Sequence, residues 1–174
     1  MNIRKGLLWE EHPFRELQPK WTIEPSIEDV MKLVRRELEI SNSDPCVVQF
    51  LAQGAFNKVY TVTCGSKQEY VMRVSLPVDP RLKTMSEVAT IEYIRHHTDI
   101  PVPEVLRHQA TNTNELEFEW MLMTRVPGHK LQDQWNNMSW LKKELLVRKM
   151  VSYHAQLFQK RFNRLHNLYS TKEL

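Results

Sequence analysis

The feature that most constrains the fold is a set of three short apolar segments joined by two brief turns. The segments cover residues 46–52, 57–64 and 69–75. Gly54 lies in the first turn, and the second turn begins at Gly65. Strand-like segments of this length with such short connections predict an antiparallel meander, because parallel strands need much longer crossover connections.

Helical patterns and further strands surround this meander. A capping Ser26 with acidic residues behind it predicts a helix that ends near Ile40. The first 24 residues, interrupted by Pro13 and Pro19, are expected to be irregular, and three aromatic residues there, Trp9, Phe14 and Trp21, indicate a packed arm. The later elements are a helix at 84–97, strands at 104–109 and 116–125, and a helix from Ser139 to about Arg161 with Leu145, Met150, Tyr153, Leu157 and Phe158 as an apolar stripe. This order predicts an α+β fold, a five-stranded antiparallel sheet with one inserted helix.

The length of 174 residues suits one domain or slightly more. We expect three parts. They are an N-terminal arm and helix at 1–45, the sheet with its inserted helix at 46–127, and a final part at 128–174 that begins another unit.

Composition excludes several classes of protein. A hydrophobic content of 41% with 26% charged residues is typical of a soluble globular chain. The net charge is only +3 and the basic residues are interspersed with acidic ones, which disfavours a nucleic-acid partner. No stretch approaches the roughly 18 apolar residues of a membrane span.

The cysteines and the N-terminus give information on the cellular compartment of the protein. Cys46 and Cys64 form no Cys-x-x-Cys motif and have no histidine cluster beside them, so no metal site is predicted and buried reduced thiols are expected. The N-terminus lacks the apolar stretch of a secretory signal, and its acidic residues argue against a mitochondrial presequence. A cytoplasmic location is therefore expected.

Four features in order point to a ligand site. Gly54 opens a turn of Gly54, Ala55, Phe56 and Asn57, and glycine both tolerates positive φ and lets the backbone approach a ligand closely. Arg73 is a single cation in an apolar strand, and a buried cation needs an anionic partner. Glu87 follows on the next helix. The fourth feature is the apolar strand 120–124 and the segment after it.

Together these features resemble the small lobe of the protein-kinase-like fold. More narrowly, they are similar to the fungal branch of the aminoglycoside phosphotransferase and choline-kinase-like family. The resemblance covers about residues 46–169 and is carried by residues 54–60, 73–77, 86–90, 100–105 and 123–128.

The resemblance implies ATP as cofactor and an unidentified small-molecule hydroxyl as phosphate acceptor. It implies that the 54–57 turn covers the nucleotide phosphates and that Arg73 contacts them while pairing with Glu87. Arginine stands where protein kinases carry lysine, and its guanidinium can bind phosphate at two points. The resemblance also places the adenine against the backbone of Thr124 to Val126.

Each of these residues has a simpler interpretation. Gly54 is also typical of an ordinary hairpin turn. Arg73 is also typical of an edge strand, where its side chain would reach solvent. Glu87 fits a capping box with Thr84. Three methionines that fit an adenine pocket also fit a plain core: Met72, Met121 and Met123.

The catalytic half of the expected site is missing from the sequence. In the family it resembles, a catalytic loop with an aspartate and a metal-binding aspartate follow the helix predicted at 139–161, yet no aspartate follows Asp133 here. No catalytic and no metal residue is assigned, and Mg²⁺ is expected only in a complete relative. A truncated, inactive phosphotransferase is predicted, whose exposed apolar helix promotes self-association.

Two other interpretations stay open. The chain is then either a noncatalytic nucleotide-binding or interaction module of the same fold, or an α+β binding domain unrelated to kinases. The last differs from the others in a testable way, because only the kinase-like fold requires Arg73 to face Glu87 close to the Gly54 turn.

Overall fold

A computed structural model describes residues 4–11, 16–65, 68–162 and 167–170. Within these ranges the chain forms, in order, β1 (Leu7–Glu11), β2 (Leu17–Trp21), α1 (Ile27–Glu37), β3 (Cys46–Gln53), β4 (Asn57–Cys64), β5 (Gln68–Ser75), α2 (Leu82–His97), β6 (Val105–Gln109), β7 (Glu119–Thr124), α3 (Leu131–Gln134), a 3-10 turn (Trp135–Asn137) and α4 (Trp140–Phe158). None of the helices in the described ranges has the length and apolarity that crossing a membrane would require.

Five strands make one antiparallel sheet in the order β3-β4-β5-β7-β6. The helix α2 is inserted between β5 and β6, which confirms the predicted α+β arrangement. Strand β5 lies in the middle, hydrogen-bonded to β4 on one side and β7 on the other. Side chains on β5 therefore have neighbours on both sides, which matters for Arg73.

The two faces of the sheet carry different clusters. One face packs its buried side chains on Val30, Leu33 and Val34 of α1. The opposite face packs Met121 and Met123 of β7 on Val88 of α2. Alternation along each strand produces this division, because neighbouring side chains point to opposite faces. Met72 lies in the α1-side core, so for this residue the plain-core interpretation is correct.

The N-terminal segment is not irregular, and that expectation is wrong. Strands β1 and β2 pair in antiparallel fashion, with Leu7 opposite Trp21 and Trp9 opposite Pro19. A two-stranded ribbon has a free edge on each strand, so a proline is tolerated where a central strand would exclude it. Phe14 lies outside the described residues.

The ribbon is attached to the main core through Trp21. The Trp21 and Phe118 rings lie 5.1 Å apart between centroids. Gly6 has a φ of +84°, and a Cβ atom there would lie 2.6 Å from two atoms of the Phe118 ring. Lys58 of β4 places its ammonium over the Trp21 ring and pairs with Glu24. The segment is thus a packed arm, as its aromatic residues indicated.

Helix α4 begins as predicted and packs differently from an ordinary core helix. Ser139 caps it by accepting a hydrogen bond from the Lys142 N–H. None of the α4 residues is buried, although its last turns meet the rest of the fold where Gln156 accepts from the Asp99 N–H at 2.8 Å. The apolar stripe predicted on this helix is therefore largely exposed to solvent.

Candidate nucleotide site

The turn between β3 and β4 is closed by its own backbone. The Gly54 N–H donates to the Asn57 carbonyl at 2.9 Å, and the Phe56 carbonyl accepts from the Leu76 N–H at 2.8 Å. Gly54 is not among the glycines with positive φ, so that reason for a glycine here is wrong. A Cβ atom at Gly54 would meet no atom within 4 Å. The space beside Gly54 is open, which leaves close approach of a ligand as the role compatible with the geometry.

Arg73 faces Glu87 across the sheet–helix boundary. The Arg73 Nη2 donates to Glu87 Oε2, and the two side chains are 19% and 33% exposed. Arg73 lies on the central strand β5, so the edge-strand interpretation is wrong. The helix-cap interpretation of Glu87 is also wrong, because α2 begins at Leu82 and the Thr84 hydroxyl donates elsewhere, to Glu119. The pairing that the kinase-like fold requires is therefore present.

A second cation joins this pair. The Lys83 Nζ lies 3.3 Å from Glu87 Oε2 and 3.3 Å from Asn57 Oδ1. The Ser75 hydroxyl donates to the same Asn57 oxygen at 2.8 Å. This network links the end of the 54–57 turn to α2 and to Arg73. Sequence reasoning missed Lys83, although its spacing of four residues from Glu87 is typical of a helical ion pair.

One polar atom of Arg73 has no partner among the described residues. Its Nε is buried and makes no hydrogen bond, and a buried donor without an acceptor costs about 1–3 kcal/mol. An anion bound beside Arg73 would supply that acceptor. The two cations and one carboxylate sum to a formal charge of +1, which favours such a ligand.

An apolar wall adjoins the charged residues on the same face of the sheet. Val59 and Met121 lie opposite Arg73 on the two neighbouring strands, and Met123 lies opposite Val71. Val71 precedes Arg73 by two residues and so points to the same side. Val59 and Val71 are half-buried. Sequence reasoning did not assign these two valines to the site.

The segment after β7 carries the Val126 N–H, which makes no backbone hydrogen bond to another described residue. The Thr124 N–H donates to the Glu104 carbonyl at 2.9 Å, and the Arg125 N–H donates to the Glu69 carbonyl at 3.3 Å. Among the backbone hydrogen bonds of the described residues, none uses the N–H of Val126, whose side chain is 53% exposed. This donor is therefore available to a ligand.

Comparison with known proteins agrees with this geometry. The model of a protein family described as "Phosphotransferase enzyme family" matches residues 47–168. The chain belongs to this phosphotransferase family. The match confirms the resemblance to aminoglycoside phosphotransferase-like proteins that the sequence motifs indicated.

Several fungal proteins are similar to this phosphotransferase-family chain. A subtelomeric hrmA-associated cluster protein of Aspergillus fumigatus (strain Af293) is 32% identical over 126 residues, which cover 71% of this chain and 25% of that protein. The protein named altered inheritance of mitochondria protein 9, mitochondrial, of Meyerozyma guilliermondii is 27% identical over 135 residues. These cover 73% of this chain and 22% of that protein. The chain thus spans about a quarter of the length of the curated relatives it matches.

The expectation of a cytoplasmic location is wrong. The yeast relatives from Meyerozyma guilliermondii, Debaryomyces hansenii and Candida albicans carry names that label them mitochondrial. That expectation rested on the acidic residues near the first methionine and on the lack of a secretory apolar stretch.

Glu119 fixes the position of α2 in this phosphotransferase fold, and sequence reasoning missed it. Its carboxylate is buried and accepts hydrogen bonds from the Arg81 N–H at 2.6 Å and the Thr84 hydroxyl at 2.5 Å. It therefore satisfies donors at the start of α2, the helix that carries Lys83 and Glu87. Burial raises the pKa of Glu119 above its ordinary value of 4.5, and the two hydrogen bonds counteract this only in part.

Glu119→Gln is expected to change how stability depends on pH. Because the pKa is raised in the folded state, Glu119 stabilises the fold when protonated, and this stabilisation is lost as the pH rises from about 4.5 through the raised pKa. The glutamine variant lacks this titration, so its stability relative to the natural chain should increase between pH 4 and pH 8. Urea unfolding at a series of pH values measures the difference.

The matched control for that experiment is Glu92→Gln, an exposed position on α2, the helix whose start Glu119 caps. This variant should follow the pH dependence of the natural chain. A Glu119→Gln variant whose stability runs parallel to the natural chain at every pH would contradict the assignment.

Proposed function

We propose that residues 46–127 form the small lobe of an ATP-dependent phosphotransferase and bind the nucleotide on the face that carries Arg73. The observation that carries this proposal is the Arg73–Glu87 pair, with the Arg73 Nε buried and without a hydrogen-bond partner in the described part of the chain. Family membership supports the choice of a nucleotide as the ligand. The whole activity is transfer of the ATP γ-phosphate to a small-molecule hydroxyl.

The phosphates lie under the turn of Gly54, Ala55, Phe56 and Asn57. The open space at Gly54 supports this placement, since nothing within 4 Å of that position blocks a ligand. Arg73 donates to a phosphate oxygen, and Lys83 adds a second positive charge close by. Hydrogen bonds between charged groups are about twice as strong as neutral ones, so these two side chains supply most of the phosphate affinity.

The adenine lies against the apolar wall of Val59, Val71 and Met123. Its polar edge faces the segment from Thr124 to Val126. The Val126 N–H, which makes no backbone hydrogen bond within the described ranges, supports this orientation, because a ring nitrogen can accept from it. Two side chains of the wall are half-buried valines on the same face as Arg73, so the base and the phosphates occupy one continuous surface.

The chemistry of transfer is not assigned to these residues. Among the described residues, no three His, Cys, Asp or Glu side chains are grouped so that they could hold a metal ion. Orienting the acceptor hydroxyl also needs a carboxylate, and no aspartate follows Asp133. We propose that residues 1–174 alone bind nucleotide weakly and do not transfer phosphate.

An interaction module is the second candidate function. The observation that favours it is the exposed apolar face of α4, where Trp140 is 82% and Phe158 is 85% exposed. Exposed apolar patches of this kind mark contact surfaces. This candidate is compatible with nucleotide binding, because α4 lies outside the Arg73 network.

Methyl NMR tests the nucleotide proposal directly. Adenosine should shift the methyl signals of Val59, Val71 and Met123, and ATP should shift them further at lower concentration. Inorganic tripolyphosphate, which has no base, should leave these methyl signals nearly unchanged. The methyls of Val34, buried on the opposite face of the sheet, serve as the internal control. Saturating shifts confined to other surfaces, or no shifts at millimolar ATP, would contradict the proposal.

A further inference from the structure

The two cysteines of the chain face each other across the β3–β4 pair. Cys46 begins β3, Cys64 ends β4, and the two are direct partners in the strand register. Their Sγ atoms lie 2.9 Å apart, and both are free thiols. The sequence predicted buried reduced thiols but did not place the two cysteines opposite each other.

The register places this pair at the type of position where side chains approach most closely. The Gly65 N–H donates to the Pro45 carbonyl at 3.0 Å, which makes 45 and 65 a hydrogen-bonded pair. Cys46 and Cys64 are the next pair and so are not hydrogen-bonded, and in such pairs the Cα atoms lie about 4.5 Å apart. That separation is within the range of roughly 4.4–6.8 Å that disulfides require, so the backbone need not move.

We propose that Cys46 and Cys64 form a reversible disulfide when a small-molecule disulfide such as oxidised glutathione is the oxidant. The Cys46 thiolate attacks one sulfur of the oxidant, which forms a mixed disulfide and releases one small thiol. Cys64 then loses its proton and attacks the Cys46 sulfur, which releases the second small thiol. Two electrons pass from the protein thiols to the oxidant, and the two protons end on the released thiols.

The environments of the two thiols set this order. Cys46 is half-buried and Cys64 is buried. Burial, together with the hydrogen bond to Cys46, raises the pKa of Cys64 to about 12. The thiolate is the attacking form, so Cys46 reacts with the external oxidant and Cys64 reacts second, across the short distance to its partner.

The bond acts at one edge of the sheet. Strand β3 is an edge strand, bonded within the sheet only to β4, and Val47 and Phe50 are each 52% exposed. A covalent link at Cys46 and Cys64 closes the hairpin that carries the 54–57 turn. It removes conformational freedom from the unfolded chain and holds β3 in its register. The proposal does not depend on nucleotide binding.

Incubation of the folded chain with oxidised glutathione tests the proposal. Mass spectrometry should show loss of two hydrogens without a glutathione adduct, and thiol titration should fall from two thiols to none. The melting temperature should rise by about 4–16 °C, from the usual stabilisation by a disulfide and the size of the chain. Dithiothreitol should reverse all three changes.

Single variants separate the steps. Cys64→Ala should stop at a glutathione adduct on Cys46, with no rise in melting temperature. Cys46→Ala should react slowly, because only the buried thiol remains. Cys64→Ser repeats the first test if the alanine variant is unstable. Stable adducts or intermolecular dimers in the natural chain, or oxidation that occurs only after unfolding, would overturn the proposal.

Discussion

Arg73→Ala is expected to weaken ATP binding by about 10- to 100-fold. A hydrogen bond to a charged group contributes about 1.5–3 kcal/mol, and each 1.4 kcal/mol corresponds to about a tenfold change in affinity. The substitution removes that bond and also leaves Glu87 with Lys83 as its remaining ion-pair partner. The negative charge of Glu87 is then less neutralised, which increases its repulsion of the ATP phosphates. Isothermal titration or a fluorescent ATP analogue measures the change.

Two further variants show how Arg73 acts. Arg73→Lys keeps the charge and loses the two-point geometry, so its affinity should lie between those of the natural chain and the alanine variant. Arg148→Ala is the matched control, because Arg148 is an exposed arginine on α4 that pairs with Glu144. It should leave ATP binding unchanged. Adenosine affinity should be nearly equal in all of these variants, because adenosine carries no phosphate.

The Arg73 prediction has a clear contrary result. If Arg73→Ala retains its melting temperature and binds ATP as tightly as the natural chain, the nucleotide phosphates do not contact Arg73. If the melting temperature falls sharply, the Glu87→Gln variant provides the second measurement, because it preserves Arg73 while removing its partner's charge. It should leave ATP binding equal or tighter.

The 174-residue chain made alone is expected to self-associate at micromolar concentration through α4. Trp140, Val147, Val151 and Phe158 follow one another at spacings of seven, four and seven residues, which places them on one face of the helix. All four are exposed. Burying a side chain of the size of valine contributes about 1.5–3 kcal/mol, so several together suffice for association.

Val147→Glu combined with Val151→Glu is expected to give a monomer at concentrations where the natural chain associates. The loss of two apolar contacts and the introduction of like charges should raise the dissociation constant by at least about 100-fold. Sedimentation velocity over a concentration series measures this. Thr111→Glu combined with Thr113→Glu, in an exposed turn between β6 and β7, is the control with the same change in charge. A natural chain that stays monomeric at high micromolar concentration would contradict the prediction.

Local sequence was sufficient for much of the sheet. The predicted strand at 57–64 coincides with β4, and the inserted helix was placed within two residues of its observed start. These elements were predictable because short apolar runs between glycine and proline turns leave few alternatives. The N-terminal ribbon was not, because Pro19 was interpreted as a breaker although its strand has a free edge.

The candidate site divides in the same way. Arg73 and Glu87 were predicted because their order along the chain matches the family in which such residues pair. Glu119 was missed because it lies 35 residues from Thr84, whose hydroxyl it accepts, and no local pattern marks a buried carboxylate that caps a distant helix. Lys83 was missed because its role depends on Asn57, which the strand pairing brings close.

The sequence by itself thus determined the order of the elements, the α+β class and the two residues that define the charged centre, since each depends on periodicity, turn residues or motif order within a few residues. Only the tertiary structure decided that Arg73 lies on a central strand, with its Nε unpaired among the residues that the structure describes, that Glu119 caps α2, and that Cys46 meets Cys64. Each of these depends on which strands pair and in what register, and register follows from burial of one whole face of the sheet. No segment of the chain determines that alone.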